Sequence, residues 1–236
     1  MITPAQNVFV LTGAGISAES GVRTYRSDTG LWHDHPVEDI ATPEGFARDP
    51  ARVQAFYDAR HAEVLAARPN AAHEALARLA ADPRYAVTVV TQNVDDLHER
   101  AGSRSVLHMH GEVLRASCAD CSAMMDEFAG RLLGSRCPEC GGPGRPEIVW
   151  FGESPKWMCE IERALLAANI FLSVGTSGEV YPAAAFARRA RNRKARCVEF
   201  NLRRTDNSRY FREERRGPAS QTLPLFVDAL LRAAPE

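Results

Sequence analysis

Four short apolar segments, separated by helix-like segments, constrain the fold of this chain more than any other feature. They are residues 7–12, residues 86–91, Ile170–Val174 and Arg196–Asn201. The intervening segments have helical periodicity, as in Ala71–Ala81 and residues 181–192. Strands that alternate with helices predict the α/β class, with a Rossmann-like parallel sheet that carries helices on both faces.

Four of the six cysteines form two close pairs, Cys118 with Cys121 and Cys137 with Cys140. Thiolates at this spacing can converge on one tetrahedral zinc ion. Two disulfides or a redox pair are the alternatives, and an intracellular chain favours zinc over both. Because four protein ligands leave no open position, we expect the ion to be structural.

The cysteine segment and a second segment interrupt the alternation of strands and helices. The region around the cysteines is rich in Cys, Gly and Pro, and residues 32–69 are mostly helical without a strand of their own. We predict one unit over residues 1–236, with an inserted helical module at 32–69 and a zinc-binding small module at 113–150. The large domain is then assembled from residues 1–31, 70–112 and 151–236.

Charge and hydrophobicity argue against several classes of protein. The net charge is −1 over 236 residues, so the sequence carries no electrostatic footprint for nucleic acid or an anionic membrane. No apolar stretch approaches the ~20 residues that a membrane-spanning helix requires. The first residues lack the basic start of a signal peptide, so we expect a cytoplasmic protein.

A glycine-rich turn follows the first predicted strand. Residues 13–18 fit the G-x-G-x-x-G/A form of a dinucleotide-binding turn, in which a following helix N-terminus favours a pyrophosphate. An ordinary tight loop is the alternative. A dehydrogenase of this type also places a strand that ends in an acidic residue ~20 residues later, and residues 32–36 are not a strand. The turn therefore favours a dinucleotide site without favouring hydride transfer.

Seven short motifs span nearly the whole chain. They are Gly13-Ala-Gly-Ile-Ser17, Thr91-Gln-Asn-Val-Asp95, His108-Met-His-Gly111, the four cysteines, Val149-Trp-Phe-Gly-Glu153, Gly175-Thr-Ser177 and Glu199-Phe-Asn201. No single motif is decisive, but together and in this order they resemble the sirtuins, which are NAD-dependent protein-lysine deacylases. The resemblance extends to the class III bacterial members that prefer acidic acyl groups.

The resemblance implies a reaction at the bond between the nicotinamide and the ribose of NAD. The acyl oxygen of a modified lysine attacks C1′, nicotinamide leaves, and a ribose hydroxyl then attacks the resulting imidate. His110 matches the family's general base, and histidine suits this role because its pKa lies near neutral. Asn93 and Asp95 match residues that hold the nicotinamide amide. The alternative for His110 is a histidine at the end of a strand without a functional role. The alternative for Asn93 and Asp95 is a capping turn before a helix at residues 96–101.

The other implied NAD contacts lie in turns, where a plain loop role is the alternative for each residue. Tyr25 and Arg26 lie on the loop expected to cover the nicotinamide, and Gln92 would reach the ribose. The implied cofactor-binding residues are Gly13, Ala14, Gly15, Ser17, Tyr25, Arg26, Gln92, Asn93, Val94, Asp95, Gly175, Thr176, Ser177, Asn201, Leu202, Arg203 and Ala219. NAD is then the co-substrate, beside one structural Zn²⁺.

One helical segment bears on the acyl group. Helical spacing places Val53, Tyr57, Arg60 and Val64 on one face, and an arginine in such a row invites an anionic partner. Sirtuins that prefer acidic acyl groups carry Tyr-x-x-Arg here, preceded by a small residue that Ala41 matches. The resemblance implies desuccinylation or demalonylation besides deacetylation. An arginine that extends from the helix edge to water is the alternative.

The resemblance also implies how a protein substrate binds. An acyl-lysine peptide would add a strand between residues 149–152, with Val149, Phe151 and Gly152 in contact, and residues 178–181. We expect a monomer without a stable nucleic-acid or membrane partner. Two alternatives stay open: an NAD-dependent protein ADP-ribosyltransferase, and a non-catalytic NAD-sensing zinc adaptor. Intact Asn93, Asp95 and His110 argue against the adaptor.

Overall fold

The computed structural model describes residues 5–24, 35–125 and 130–233. Its strands are β1 Gln6–Thr12, β2 Tyr85–Thr91, β3 Val106–His108, β4 Gly111–Cys118, β5 Gly144–Ile148, β6 Ile170–Val174, β7 Arg196–Asn201 and β8 Glu213–Arg216. Its helices are α1 Val37–Ile40, α2 Pro43–Arg48, α3 Pro50–Ala66, α4 Ala71–Ala81, α5 Leu97–Arg100, α6 Met158–Ala167, α7 Phe186–Asn192 and α8 Ala219–Arg232. None of these helices combines the length and hydrophobicity of a membrane span.

Six parallel strands form the main sheet, in the order β3-β2-β1-β6-β7-β8. The chain moves outward from β1 through β2 to β3, and then returns to the other side of β1 as β6. The strand order therefore reverses between β1 and β6, where Thr12 pairs with Val174 at the carboxyl ends. In open α/β sheets, ligands bind at such a switch point, outside the carboxyl ends of the strands.

Both faces of the sheet are covered, as the sequence predicts. Side chains alternate along β1, so that Val8 and Val10 pack in one buried cluster with α4 and α8. Phe9 and Leu11 point to the other face and pack with α6 and α7. Because β1, β6 and β7 are buried from two sides, these central strands are continuous apolar runs rather than alternating ones.

A second unit combines the two predicted insertions. Strands β4 and β5 pair in an antiparallel two-stranded sheet. Phe46 of α2, Tyr57 of α3, Val113 of β4 and Trp150 after β5 belong to one buried cluster. The helical segment and the cysteine segment thus share a single core, which neither could form alone.

The starts of α2 and α3 are fixed by short-range signals. The Thr42 side chain accepts a hydrogen bond from the Gly45 amide at 3.0 Å, and that of Asp49 accepts one from the Arg52 amide at 3.0 Å. A proline follows each cap, at the first helical position, where its missing N–H costs nothing. These caps set the register of α3.

The predicted helix bounds hold with one exception. Ala71–Ala81 is a helix over that range, and the helix expected at residues 96–101 is observed as Leu97–Arg100 between its two cap residues. The helix expected at residues 181–192 begins only at Phe186. Pro182 lies at the start of the expected range, and a 3-10 turn at Ala183–Ala185 precedes the α-helix.

Candidate active site

The glycine turn after β1 packs directly against the turn after β6. The Gly15 amide donates to the Gly175 carbonyl at 2.8 Å, and the Gly13 amide donates to the Val174 carbonyl at 3.0 Å. A Cβ at Gly15 would lie 2.7 Å from the Gly175 Cα, and Gly175 itself has φ +62. Backbone packing between two strand ends therefore requires these glycines, independently of any ligand.

The segment that follows this turn differs from the expectation. The sequence predicts an α-helix whose N-terminus would favour an anion, but the described chain forms two 3-10 turns, Ala14–Ile16 and Ala18–Ser20. The second turn ends at Gly21, which has φ 87. The Gly13 and Gly15 amides donate to the Val174 and Gly175 carbonyls, so these first amides of the segment are not arranged as a helix N-terminus.

A cavity of about 620 Å³ opens at the switch point between β1 and β6. This volume falls within the range of pockets that bind small molecules and cofactors. Most of the residues implied by the resemblance line it. They are Gly13, Ala14, Gly15, Ala41, Tyr57, Gln92, Asn93, Val94, His110, Val149, Phe151, Gly152, Gly175, Thr176, Ser177, Asn201, Leu202 and Arg203.

Four implied residues within the described part of the chain do not line the cavity. Ser17 and Asp95 are buried behind its wall, Arg60 is buried inside the second unit, and Ala219 packs in the core at the start of α8. Tyr25 and Arg26 lie outside the described residues.

Eight residues of the cavity wall were not among the predicted site residues. Trp150 and Glu153 lie within the motif at residues 149–153, and Tyr181 lies within the proposed peptide-binding range 178–181. Their nearness in sequence to predicted site residues could have identified them. Thr205 had no such signal. The unpredicted wall residues are Thr24, Ile148, Trp150, Glu153, Pro155, Val180, Tyr181 and Thr205.

Asn93 is held rigidly at the edge of the cavity. Its Nδ2 donates to the Ser17 hydroxyl at 3.1 Å, and this hydroxyl donates to Asp95 Oδ2 at 2.9 Å. The other oxygen of Asp95 accepts from the Leu97 amide at 3.2 Å. The pKa of Asp95 is raised, because the effect of burial outweighs the two hydrogen bonds, which by themselves would lower it. Asn93 thus faces the cavity, and Asp95 orients it through Ser17.

Two buried histidines lie behind this network. The hydroxyl of Thr12 donates to that of Thr91 at 2.8 Å and therefore accepts from Nε2 of His98 at 3.0 Å. Thr91 in turn accepts from the Asn93 amide at 3.0 Å. The ring of His73 lies 5.0 Å from that of His98. Burial lowers the pKa of both histidines, that of His73 to about 4, so both are neutral at pH 7.

The two histidines of the His108-Met-His-Gly111 motif differ in their surroundings. His110 lines the cavity, and its Nδ1 donates to the Gln92 carbonyl at 3.2 Å. His108 is buried between the Asn93 carbonyl at 3.2 Å and the Glu99 carboxylate at 2.8 Å. Burial alone would lower the pKa of His108, but the hydrogen bond and charge of Glu99 outweigh it and raise the pKa. His108 is therefore part of the scaffold.

The predicted face of α3 is observed, with Val53, Tyr57, Arg60 and Val64 all buried. Tyr57 reaches the cavity wall together with Ala41. Arg60 lies one turn further along, and its guanidinium donates to the Glu63 carboxylate at 2.6 Å. The side chain of Arg60 is only 2% exposed, so it does not extend to water as the alternative reading required.

The four cysteines converge as predicted. Their sulfurs all lie within 4.8 Å of one another, with Cys118 and Cys140 3.4 Å apart and Cys121 and Cys137 3.7 Å apart. These separations are too long for disulfides and match the ~3.8 Å edge of a tetrahedron with Zn–S bonds of ~2.3 Å. The residues present therefore fit a structural zinc ion.

Known proteins resemble this chain over nearly its whole length. Residues 13–182 match the Sir2 family. An NAD-dependent protein deacylase of Vibrio parahaemolyticus serotype O3:K6 is 49% identical over 232 residues, which cover 97% of this chain and 96% of that protein.

Two solved structures share the fold. The crystal structure of a Sir2 homologue in complex with NAD has a TM-score of 0.87 at 35% identity, covering 95% of this chain and 89% of that one. A Sir2 mutant with a deacetylated p53 peptide and 3′-O-acetyl-ADP-ribose has a TM-score of 0.81 at 27% identity, covering 95% and 92%.

Proposed function

Because this chain belongs to the Sir2 family, we propose that it removes succinyl and malonyl groups, as well as acetyl groups, from protein lysines. The reaction is NAD-dependent protein deacylation, as in the relatives of similar length. Its products are nicotinamide, O-acyl-ADP-ribose and free lysine. The single observation that carries this function is the convergence of Asn93, His110 and the glycine turn on one cavity at the switch point.

NAD, when bound, supplies the ribose carbon that the acyl oxygen attacks and the ribose hydroxyl that later accepts the acyl group. The carboxyl ends of β1, β2, β6 and β7 surround the cavity, which supports a dinucleotide there. Gln92 donates to the Thr176 hydroxyl at 3.0 Å, and Asn201 donates to the Thr176 carbonyl at 2.8 Å. These bonds join the three strand ends at which we place the riboses and the adenine.

His110 is the proposed general base. Its Nδ1 donates to a backbone carbonyl, so the neutral ring carries its proton there, and Nε2 is the nitrogen that accepts one. The hydrogen bond also fixes the plane of the ring. His110 is half-buried at the cavity wall, where a proton from a ribose hydroxyl would have to be taken up.

Asn93 is the proposed partner of the nicotinamide amide. Both its backbone amide and its side chain are held from behind, by Thr91 and Ser17, so the side chain needs little reorganisation when a ligand binds. Asp95 supports the same contact through Ser17.

Tyr57 and Arg60 are the proposed readers of an acidic acyl group. Tyr57 and the small Ala41 line the wall next to Phe151, and Arg60 supplies a buried positive charge one turn away. A guanidinium can bind a carboxylate through two parallel hydrogen bonds. An acetyl group offers no carboxylate, so only the acidic acyl groups gain from this charge.

The test compares succinyl-lysine and acetyl-lysine versions of one peptide. Hydrogen bonds to charged groups contribute ~1.5–3 kcal/mol, so Arg60→Met should lower the succinyl-to-acetyl ratio of kcat/KM by roughly 10–100-fold. Arg52→Met is the matched control, because Arg52 is an exposed arginine on the same helix, paired with Asp39. Equal losses on both peptides would mean that Arg60 supports the fold instead.

The domain organisation, the peptide-binding segments, the oligomeric state and the location of the protein are also proposals. The domain boundaries predicted above would place NAD on the large domain and the acyl-lysine between residues 149–152 and 178–181. One chain supplies both sides of the cavity, which supports action as a monomer and can be checked by light scattering. The cytoplasmic location stays a prediction.

A further inference from the structure

A carboxylate of the chain itself already contacts the proposed acyl-reading arginine. Glu63 lies three residues after Arg60 on α3, and its Oε2 accepts a hydrogen bond from the guanidinium at 2.6 Å. Its side chain is 16% exposed, so water screens this ion pair weakly. The other oxygen, Oε1, accepts from the backbone amide of Arg23 at 2.6 Å.

Arg60 would therefore bind two carboxylates, that of Glu63 and that of an acidic acyl group. A guanidinium has five N–H donors, so it can hold Glu63 at one edge and present another edge to a ligand. Glu63 nevertheless cancels part of the positive potential that an acidic acyl group would meet. A neutral acetyl group is insensitive to this potential. The charge of Glu63 therefore acts on one class of substrate and spares the other.

We propose that Glu63 is a specificity-determining residue, which weakens the attraction of Arg60 for acidic acyl groups and so keeps acetyl-lysine competitive as a substrate. This inference rests on the proposed role of Arg60 as the reader of the acyl carboxylate. The effect is electrostatic and acts on substrate binding. It should appear in KM for acidic acyl peptides and leave kcat much less affected.

The contact with Arg23 decides which substitution isolates the charge. Arg23 is followed by Thr24, which lines the cavity, so Glu63 also tethers the chain that leads into the cavity wall. Glu63→Gln removes the negative charge and keeps the shape of the side chain, with one oxygen that can still accept from the Arg23 amide or from the Arg60 guanidinium. Glu63→Ala removes the charge and the tether together.

The experiment measures kcat and KM for succinyl-lysine and acetyl-lysine versions of one peptide at saturating NAD. The variants are Glu63→Gln, Arg60→Met and the double variant. Because Arg60 is then no longer paired with a carboxylate of the chain itself, the succinyl KM of Glu63→Gln should fall roughly ten-fold relative to the acetyl KM. In the Arg60→Met background, Glu63→Gln should leave the succinyl-to-acetyl ratio where Arg60→Met set it.

Two controls make the result specific. Asp228→Asn also removes one negative charge from an arginine pair, with Arg78, but at an exposed position outside the cavity wall, and its ratio should match the wild type. If Glu63→Gln does not fold, Glu63→Ala replaces it, and the ratio of kcat/KM should rise in the same direction.

The outcomes separate this inference from the function on which it rests. A succinyl-to-acetyl ratio that Arg60→Met leaves unchanged would contradict the proposed role of Arg60 and the inference with it. A ratio that falls with Arg60→Met but does not rise with Glu63→Gln, or with Glu63→Ala where that replaces it, would overturn the inference alone. A rise that persists in the double variant would also overturn it, since Glu63 would then act without Arg60.

Discussion

The indole nitrogen of Trp150 donates a hydrogen bond to the hydroxyl oxygen of Tyr57 at 3.1 Å. Both side chains are buried, and the Arg145 guanidinium lies 3.7 Å from the centroid of the Trp150 ring. Arg145 is in turn paired with Glu153 at 2.7 Å. Because the Tyr57 oxygen accepts from the indole, its own proton is directed away from Trp150. The segment after β5 therefore sets the orientation of a hydroxyl on α3.

This orientation predicts a selective effect of Tyr57→Phe. Arg60 still pairs with the acyl carboxylate, so loss of the Tyr57 hydroxyl should cost the ~0.5–1.5 kcal/mol of an ordinary hydrogen bond, and the succinyl-to-acetyl ratio of kcat/KM should fall roughly 3–10-fold. Tyr85→Phe is the matched control, because its hydroxyl donates to the Leu230 carbonyl outside the cavity. If both variants shifted the ratio equally, the hydroxyl of Tyr57 would have no role in acyl choice.

His110→Ala should abolish most deacylation while the protein still folds and binds NAD. A positioned general base typically contributes ~10²–10⁴-fold to the rate, so kcat should fall within that range. The comparison variant is His108→Gln, whose side chain is buried against Glu99 and outside the cavity wall. His108→Gln should unfold at a lower temperature than the wild type. Its kcat should fall far less than that of His110→Ala. Wild-type turnover in His110→Ala would exclude His110 as the base.

His73 makes stability depend on pH in a defined window. Its folded pKa is lowered to about 4, below the ordinary 6.5, because burial disfavours the charged ring. The unfolded chain then binds more protons between these two values, so stability is lost as the pH falls from 6.5 toward 4. Between pH 7 and pH 5 the wild type should lose about 2 kcal/mol more unfolding free energy than His73→Asn. Parallel pH profiles in urea unfolding would contradict the assigned pKa.

Zinc should hold the second unit together. Measured metal content should approach one ion per chain. Asp58 of α3 accepts from the Leu132 amide at 2.6 Å and the Leu133 amide at 3.0 Å, and Gln54 accepts from the Gly134 amide at 3.1 Å. A strong chelator should therefore remove hydrogen-exchange protection from these three amides before it affects the Gly15 amide. Protein purified without chelator that carried no zinc would contradict the site.

Local patterns predicted the elements whose signals are local. The strands Ile170–Val174 and Arg196–Asn201 and the helix Ala71–Ala81 were predicted with the observed bounds, because apolar runs and helical periodicity depend only on neighbouring residues. The strand Glu213–Arg216 has four charged residues and was missed. It lies at the edge of the sheet, where charged side chains are common and apolar ones are not required.

In the candidate site too, only the features with local sequence signals could be predicted. The zinc ligands could be predicted from the spacing of the cysteines, and the cavity residues in quoted motifs from the resemblance of those motifs to the sirtuins. The contacts that orient them could not, because His98 meets Thr12 across 86 residues and Trp150 meets Tyr57 across 93. Glu63 is the exception, since its position three residues after Arg60 on one helix was visible in the sequence.

NAD-dependent desuccinylation is decided by the masses of the products formed from NAD and one succinyl-lysine peptide. We expect one nicotinamide, one unmodified peptide and one O-succinyl-ADP-ribose for each turnover, with no ADP-ribose on peptide or protein. ADP-ribose attached to the peptide, still succinylated, or to the protein would identify an ADP-ribosyltransferase instead. NAD bound but unchanged, with the peptide intact, would contradict catalysis altogether.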